Sequence, residues 1–327
     1  MNSLAAQNAS ANVFQLGPVR RFDDWLHAMP HPGTLVEIAA PHVAVARWGA
    51  KGTNLEHAAS EPLPPGAVMP STLETNIPQP EAVRSALRRV LGDVSAAGIY
   101  VGLIVPDLVA RVFILPFDNL PRRASEALPL LRWRLKKSVP FEAEETLISY
   151  MRQAPREDGV DVVTGLARLR IIKEYESLVE PLQAGVVMSS TLATLPLLDD
   201  SGPMMLARIC GTSLTTAIAR EGVLCGYRCT ELPGEVHALH PRALLDEIFP
   251  VAAYYQDAWS EGLQAVQLSG FGSRIAEFQE AIQTELHCPV SGLLRTAVGD
   301  GRVASDATPL ADKELDSLIG WSLNRGA

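Results

Sequence analysis

The sequence has little of the material that zinc and disulfide proteins need. Only four cysteines occur among 327 residues, and Cys225 and Cys229 form one C-x₃-C pair with no second pair behind it. A structural zinc site needs about four ligands at close spacing, so buried thiols are the preferred interpretation. The histidines are scattered, and neither His237 nor His240 belongs to a zinc-protease motif. The residues therefore indicate no metal site.

Excess positive charge and long apolar runs are also lacking. The net charge is −9 and charged residues make up 20% of the chain, which argues against a general nucleic-acid binder. No apolar run approaches the roughly 18–20 residues of a membrane span. Residues 1–16 lack the basic and apolar regions of a secretory signal. We expect a cytoplasmic protein.

The length and the order of elements predict two α/β halves. A chain of 327 residues is too long for one simple core. No repeat occurs at the short periods of solenoids, but there is a looser symmetry. One β-hairpin at residues 34–48 and another at 206–232, whose two long strands turn at Gly222, each begin an α/β region.

Between the hairpins, residues 98 to about 185 read strand, strand, helix, strand, strand, helix. The pattern predicts that the last of these helices closes at Gly185. An earlier helix is indicated between Pro80 and Gly92. After the loop at residues 269–273, an apolar stripe at helical spacing predicts a further helix. The stripe consists of Ile275, Phe278, Ile282 and Leu286.

The helix near residue 130 is strongly basic within an acidic protein. Its cations are Arg122, Arg123, Arg132, Arg134, Lys136 and Lys137. A charge run on a helix is usually a solvated face, but this one could also meet anionic lipid or an acidic partner. Pro129 should kink the helix unless the helix starts near that point.

Four stretches of sequence carry a resemblance to a known family. They are "GLIVPDLVARVFILPF", "LPLLRWRLKKSVPFEAEETLISYMRQ", "VQLSGFGSRIAEFQEAIQTELHCPV" and the terminal "IGWSLNRG". From about Thr34 to the C-terminus the chain resembles the type IV pilus assembly protein PilM family of the actin-like ATPase superfamily. The resemblance implies an α/β, actin-like (ribonuclease H-like) two-domain fold with an inserted small α/β subdomain.

The expected domain boundaries follow from this resemblance. Residues 1–31 would be an irregular extension. The first domain would comprise 32–97 and 181–200, with a C-terminal helix at 310–327 packing back on it. The small subdomain would be 98–180 and the second domain 201–309.

The resemblance also implies a nucleotide cleft, with two turns that hold the phosphates and the glycine loop, residues 269–273, beside the nucleoside. The implied cleft positions are Ala39, Ala40, Gly211, Thr212, Ser213, Gly270, Gly272 and Ser273. The motifs are degenerate. Where the family has Asp-Ile-Gly this chain has Glu37-Ile38-Ala39, where it has a lysine the chain has Ala44, and the second aspartate is replaced by Arg208.

These replacements predict impaired or absent ATP hydrolysis. Phosphoryl transfer depends on positioning and on a metal, and Arg208 cannot carry a metal. Glu37 could still reach one, and Gly211 could still cradle an anion. Weak binding of ATP with Mg²⁺ therefore stays open beside no binding, and no catalytic residue or metal ligand is assigned. We expect residues 269–273 on one wall of the cleft and 39–42 near its floor.

The partners implied by the resemblance are the N-terminal tail of a PilN-like membrane protein and other pilus platform proteins. Self-association and peripheral contact with the inner membrane are further expectations, and no nucleic acid is expected. The tail would bind beside the small subdomain, in an apolar groove whose rim carries Arg132 and Arg134. The alternatives are a functional actin-like ATPase or sugar-kinase relative, and a scaffold of a type II secretion-like system.

Overall fold

A computed structural model of the chain describes most of the sequence from Pro32 onward. The described residues are 32–49, 54–92, 99–139, 145–156, 158–199 and 201–323. The irregular extension that we expected at residues 1–31 lies outside them. Within the described ranges no helix is both long and apolar enough to cross a bilayer.

Three β-sheets organise the molecule. The strands are β1 Thr34–Ile38, β2 His42–Trp48, β3 Leu55–Pro62, β4 Tyr100–Val105, β5 Ala110–Phe117, β6 Thr146–Arg156, β7 Gly159–Arg168, β8 Gln183–Ser189, β9 Met204–Cys210, β10 Ser213–Arg220, β11 Val223–Glu231, β12 Ala265–Ser269 and β13 Val290–Gly292. The first sheet has the order β3-β2-β1-β4-β8, the second β11-β10-β9-β12-β13, and the small third sheet β5-β7-β6.

The two larger sheets share one plan. In each, a central strand (β1 or β9) pairs antiparallel with the next strand along the chain and parallel with the strand after a helix (β4 or β12). The two hairpins that begin the α/β halves are thereby confirmed. The second contains three strands instead of two, because the chain also reverses at Gly211, whose φ of 60° suits glycine.

Helices cover these sheets. They are α1 Pro80–Leu91, α2 Ala124–Leu135, α3 Leu169–Leu178, α4 Ser190–Thr194, α5 Pro241–Trp259, α6 Ile275–Leu286, α7 Leu293–Gly299, α8 Thr308–Ala311 and α9 Asp316–Leu323. Helix α1 has Pro80 at its first turn and Gly92 directly after it, as its sequence predicts. In α6, Phe278 and Ile282 of the expected stripe are fully buried.

The expected boundaries of the small subdomain differ from the structure at both ends. Strand β4, which we placed inside residues 98–180, lies in the first sheet between β1 and β8. Helix α3 packs into the core of the first half through Ile171 and Tyr175. It ends at Leu178, and Gly185 lies in β8, because Pro181 has no N–H to continue the helix. The small sheet and α2 thus span about residues 110–168.

The C-terminal helix α9 lies against α4 and β1. Gly320 permits the close approach of the two helices, since a Cβ at that position would lie only 2.3 Å from the carbonyl oxygen of Ala193. Trp321 is fully buried beside Leu35 and Ile104 in the same core. The "IGW" portion of the terminal motif is therefore a packing element.

Candidate functional site

The candidate site lies where the central strands of the two halves end. The turn after β1 and the turn after β9 meet there, and a Cβ on Gly211 would lie 3.2 Å from that of Ala40. Ligands of open α/β sheets bind beyond the carboxyl ends of such strands. A cleft of about 1290 Å³ opens at this place, lined by Ala40–His42 on one side and by Ser269 and Gly270 on another. Part of each predicted loop therefore lines this cleft, residues 40–42 of the first and residues 269–270 of the second.

A buried arginine occupies the centre of the site. Arg208, at 5% exposure, binds Asp316 through two hydrogen bonds, Nε to Oδ2 at 2.8 Å and Nη2 to Oδ1 at 3.1 Å. Its Nη1 donates to Ser190 Oγ at 2.9 Å. Glu37 and Asp107 approach the same guanidinium at 3.6 and 3.9 Å. One internal cation is therefore surrounded by three carboxyl groups.

Asp107 holds a second part of this network. Its carboxylate accepts hydrogen bonds from the Thr191 backbone N–H at 2.9 Å and the Thr191 hydroxyl at 2.6 Å. It also accepts from the hydroxyls of Thr215 and Tyr227 in the second half, at 3.0 and 3.1 Å. The residue after β4 and Pro106 is thus joined to β10 and β11 by buried hydrogen bonds between the two halves.

Electrostatics favour the charged pair. Burial by itself disfavours an ionised Asp316, but the attraction of Arg208, together with hydrogen bonds from Arg208 and Ser269, holds the pKa of Asp316 below its ordinary value. At Arg208 burial is likewise outweighed, and the pKa of the guanidinium is raised. Burial raises the pKa of the neighbouring Cys210 thiol to about 12, against the opposing effect of Arg208.

Glu37 is the least satisfied member of the cluster. Its Oε2 lies 3.5 Å from Nε2 of His42. Its Oε1 accepts no hydrogen bond from any described residue, although it is 2% exposed and 3.6 Å from Arg208 Nη2. The guanidinium of Arg208 compensates the charge of Glu37. It also lies among the three carboxyl groups that could otherwise have bound a divalent cation.

The first of the two turns offers few donors to an anion. The Ala39 N–H already donates to the His42 carbonyl oxygen at 2.9 Å, and Pro41 has no N–H. Position 44, where the family resemblance implies a lysine, is wholly buried in the core and does not line the cleft. These residues, with Arg208 among the carboxylates, do not fit a magnesium-bound phosphate.

In the second turn, Gly211 and Thr212 line the cleft. Ser213 is buried, and its hydroxyl donates to the Cys210 carbonyl oxygen at 2.8 Å. Of the three positions implied for this turn, two face the cleft and the third caps the turn.

The glycine loop has a structural explanation. Gly270 has a φ of 80°, and a Cβ there would lie 1.9 Å from the carbonyl oxygen of Ile209 in β9. Gly272 and Ser273 are exposed and stand outside the lining of the cleft. The first glycine is required for the backbone to pass β9, and only this end of the loop reaches the cleft.

Sequence reasoning missed the polar partners of Arg208. Asp316 lies in the first turn of α9, and Asp107 follows β4 after a proline. The one signal available for Asp107 is that an acidic residue follows an apolar strand almost directly, a pattern that is also typical of an ordinary turn. Ser190 gave no signal of its own, since nothing in its neighbourhood indicates a partner in β9.

The cleft also borders two strand edges. Ala110–Phe113 of β5 and Tyr227–Cys229 of β11 line it, and both strands are the outermost of their sheets. Arg132 and Arg134, expected on the rim of a peptide groove, lie on α2 and do not line the cleft. Among the described residues, the arginines that line the cleft are Arg111, Arg208 and Arg228.

Two five-stranded sheets of one plan, meeting at a cleft with an inserted subdomain, define an actin-like fold. Comparison with solved structures agrees. A chain of the PilM-PilN type IV pilus biogenesis complex matches with a TM-score of 0.69 and 18% identity, covering 91% of this chain and 99% of that one. The resemblance to the PilM family is therefore confirmed at the level of the fold.

A second similar structure is a protein with an actin-like ATPase fold from Bacteroides thetaiotaomicron VPI-5482, whose function is unknown. It has a TM-score of 0.50 and 10% identity, over 87% of this chain and 95% of that one. The cytoplasmic domain of EpsL, an inner-membrane component of the type II secretion system of Vibrio cholerae, has a TM-score of 0.44, which is too low to bear on fold or function. No protein-family model and no curated protein matches the chain.

Proposed function

We propose that this protein is an actin-like adaptor on the cytoplasmic side of an inner membrane, with no effective ATP hydrolysis. Its partner would be the N-terminal tail of a PilN-like membrane protein of a pilus assembly platform. The observation that carries the proposal is the position of Arg208. Its guanidinium pairs with the carboxyl groups that a magnesium ion would need as ligands. The similarity to a chain of the PilM-PilN complex supports the choice of partner.

The geometry of the site supports the expected absence of turnover. Catalysis of phosphoryl transfer rests on positioned phosphates and on metal charge. Here Arg208 is engaged with Asp316 and Ser190, and the first turn has few free donors. The expected rate of phosphate release from Mg²⁺-ATP equals that of the buffer blank. A Mg²⁺-dependent rate that disappears in Glu37→Gln would favour the alternative of a functional actin-like ATPase.

Weak nucleotide binding is a separate question, and the same sample answers it. Equilibrium binding of ATP, with Mg²⁺ and with EDTA, measures what Gly211 and Thr212 still contribute. If there is binding, we expect it to be equal in the two conditions, because Arg208 takes the place of the metal.

The tail has a defined place to bind in this proposal. An extended peptide gains main-chain hydrogen bonds at a strand edge and specificity from alternate side-chain pockets. Strand β5 borders the cleft with Arg111 and the half-buried Phe113, and Met69, with 58% exposure, lines the same cleft. This wall combines apolar contact area with a strand edge, which suits a short flexible segment that orders on binding.

Titration of a labelled N-terminal tail peptide of the PilN-like protein tests the proposal. We expect micromolar affinity, on the order of −8 kcal/mol. Phe113→Ser should weaken binding by about tenfold or more if the side chain is an anchor in the interface. Phe249→Ser is the matched control, since Phe249 is exposed on α5 away from the cleft. Absence of binding to the unaltered protein would refute the adaptor function.

Other platform proteins and self-association remain further proposals for the same assembly. A scaffold role in a type II secretion-like system is distinguished by the same titration, with the cytoplasmic tails of that system's membrane proteins as competitors. The tail with the highest affinity identifies the system.

A further inference from the structure

The small subdomain carries a helix whose outer face is without a partner. Alternate residues of the sheet β5-β7-β6 face opposite ways. Met151 and Val163 pack towards the main body, whereas Tyr150 and Val162 pack with Leu131 of α2. Helix α2 is therefore the outermost layer, and its far side faces away from the rest of the protein.

An exposed tryptophan stands at the centre of that outer face. Ala127, Leu131 and Leu135 form the buried stripe of α2. At 100° per residue Trp133 points almost directly away from this stripe, and it is 76% exposed. Leu130, one turn earlier and 43% exposed, lies beside it. No residue of α2 lines the cleft, so Trp133 does not pack into it.

Positive charge surrounds this tryptophan. Between Arg122 and Lys137 there are six cations and one carboxylate, in a chain of net charge −9. The carboxylate, Glu126, lies 3.7 Å from Arg123. Among the described residues no carboxylate pairs with Lys136 or Lys137. Lys136 and Lys137 are thus available to an external surface of opposite charge, whereas Arg134 lies 5.3 Å from the centroid of the Phe117 ring.

We propose that α2 docks this protein on a bilayer that contains anionic phospholipid. Tryptophan and leucine enter the interfacial zone of a bilayer, while lysine and arginine attract its anionic headgroups. A flat lipid surface accepts a projecting indole, whereas a peptide partner would have to supply a pocket for it. Strand β5 and the cleft remain free for a tail in this orientation. This docking specifies how the proposed adaptor would lie on its membrane, but its evidence is the charge and the exposure of α2, which do not depend on the adaptor function.

Co-flotation of the full chain with vesicles tests this docking. Vesicles of phosphatidylcholine mixed with phosphatidylglycerol should bind the protein, and vesicles of phosphatidylcholine alone should not. Binding should fall with added NaCl, since the screening length shrinks from about 10 Å at 0.1 M to about 3 Å at 1 M salt. Trp133 fluorescence should shift to shorter wavelength on binding.

Two pairs of variants assign the effect to α2. Arg132→Gln with Lys136→Gln should weaken vesicle binding by roughly 25-fold, at about fivefold for each cation near the surface. The matched control, Arg88→Gln with Arg295→Gln, removes the same charge from exposed arginines elsewhere and should change binding by less than about twofold.

Aromatic controls complete the design. Trp133→Ala should abolish the fluorescence shift and weaken binding. Tyr254→Ala, at a residue 70% exposed on α5, should leave both unchanged. Equal binding to the two kinds of vesicle, or equal loss in test and control variants, would overturn the proposal.

A protein that ignores both vesicles but binds an acidic polypeptide through α2 would overturn it in favour of a protein partner. Failure of lipid binding with the tail affinity intact would leave the adaptor function standing, so the two proposals fail separately.

Discussion

Replacement of Arg208 by methionine is the sharpest test of the site. Asp316, Glu37 and Asp107 would then keep their buried positions without the guanidinium that lies within 4 Å of each. Removing one partner of a buried ion pair costs about 3–5 kcal/mol, because the other charge stays buried and uncompensated. We expect Arg208→Met to lower the free energy of unfolding by this amount near neutral pH.

The loss should depend on pH in a defined direction. In the unaltered protein the pKa of Asp316 is depressed, so its contribution to stability is present above the ordinary carboxyl pKa and is lost as the pH falls through the depressed value. Without Arg208, burial dominates and the pKa of Asp316 should rise above its ordinary value of about 4. The folded variant then takes up a proton, so its deficit should shrink on acidification from about pH 7 towards pH 5.

Urea unfolding followed by tryptophan fluorescence measures both effects. Arg228→Met is the matched control, because Arg228 contacts Glu247 at 2.6 Å but its side chain is 45% exposed. An exposed pair of this kind contributes about 0–1 kcal/mol. Arg208→Met with Asp316→Asn should recover more than about 1 kcal/mol of the loss, as expected for coupled neighbours. A loss no larger than that of the control, or a deficit that grows with acid, would refute this account of the cluster.

Three further predictions concern the supporting structure. Gly270→Ala should cost more than about 2 kcal/mol in urea unfolding, since its Cβ would meet a backbone carbonyl, whereas Gly272→Ala has open space and should cost only about 1 kcal/mol for its positive φ. Gln153→Leu should cost about 2–4 kcal/mol, because it leaves the Leu224 N–H and C=O without the amide that binds both at 2.7 and 2.8 Å; a fall in hydrogen-exchange protection at Leu224 checks it. The Cys210 thiol, with its pKa of about 12, should resist alkylation in the folded protein at mildly alkaline pH and react in urea, and rapid native labelling would contradict this.

Much of the local structure was predictable from the sequence, because it depends on neighbours along the chain. The strand pattern at residues 34–48 predicts the first hairpin, and the stripe through Phe278 and Ile282 predicts α6; the structure contains both. The family resemblance then supplied the order of the two halves, which the structure confirms as an actin-like fold.

Sheet membership was decided only in three dimensions. From its sequence, β4 could belong to either the small sheet or the large one, because an apolar run does not indicate which strands it pairs with. Its parallel pairing with β1 and β8 placed it in the first half. A parallel pair leaves no hairpin turn in the sequence by which it could be recognised.

The replaced residues of the cleft were visible in the sequence, but their consequence was not. The substitution of an aspartate by Arg208 could be seen from the motif alone. Its partner Asp316 lies 108 residues further on, at the start of α9. No local pattern predicts that a buried cation and a buried carboxylate will meet over such a distance. Only the packing of α9 against the first half brings Asp316 next to Arg208. Because both side chains are buried away from water, each charge is stable there only when the other compensates it.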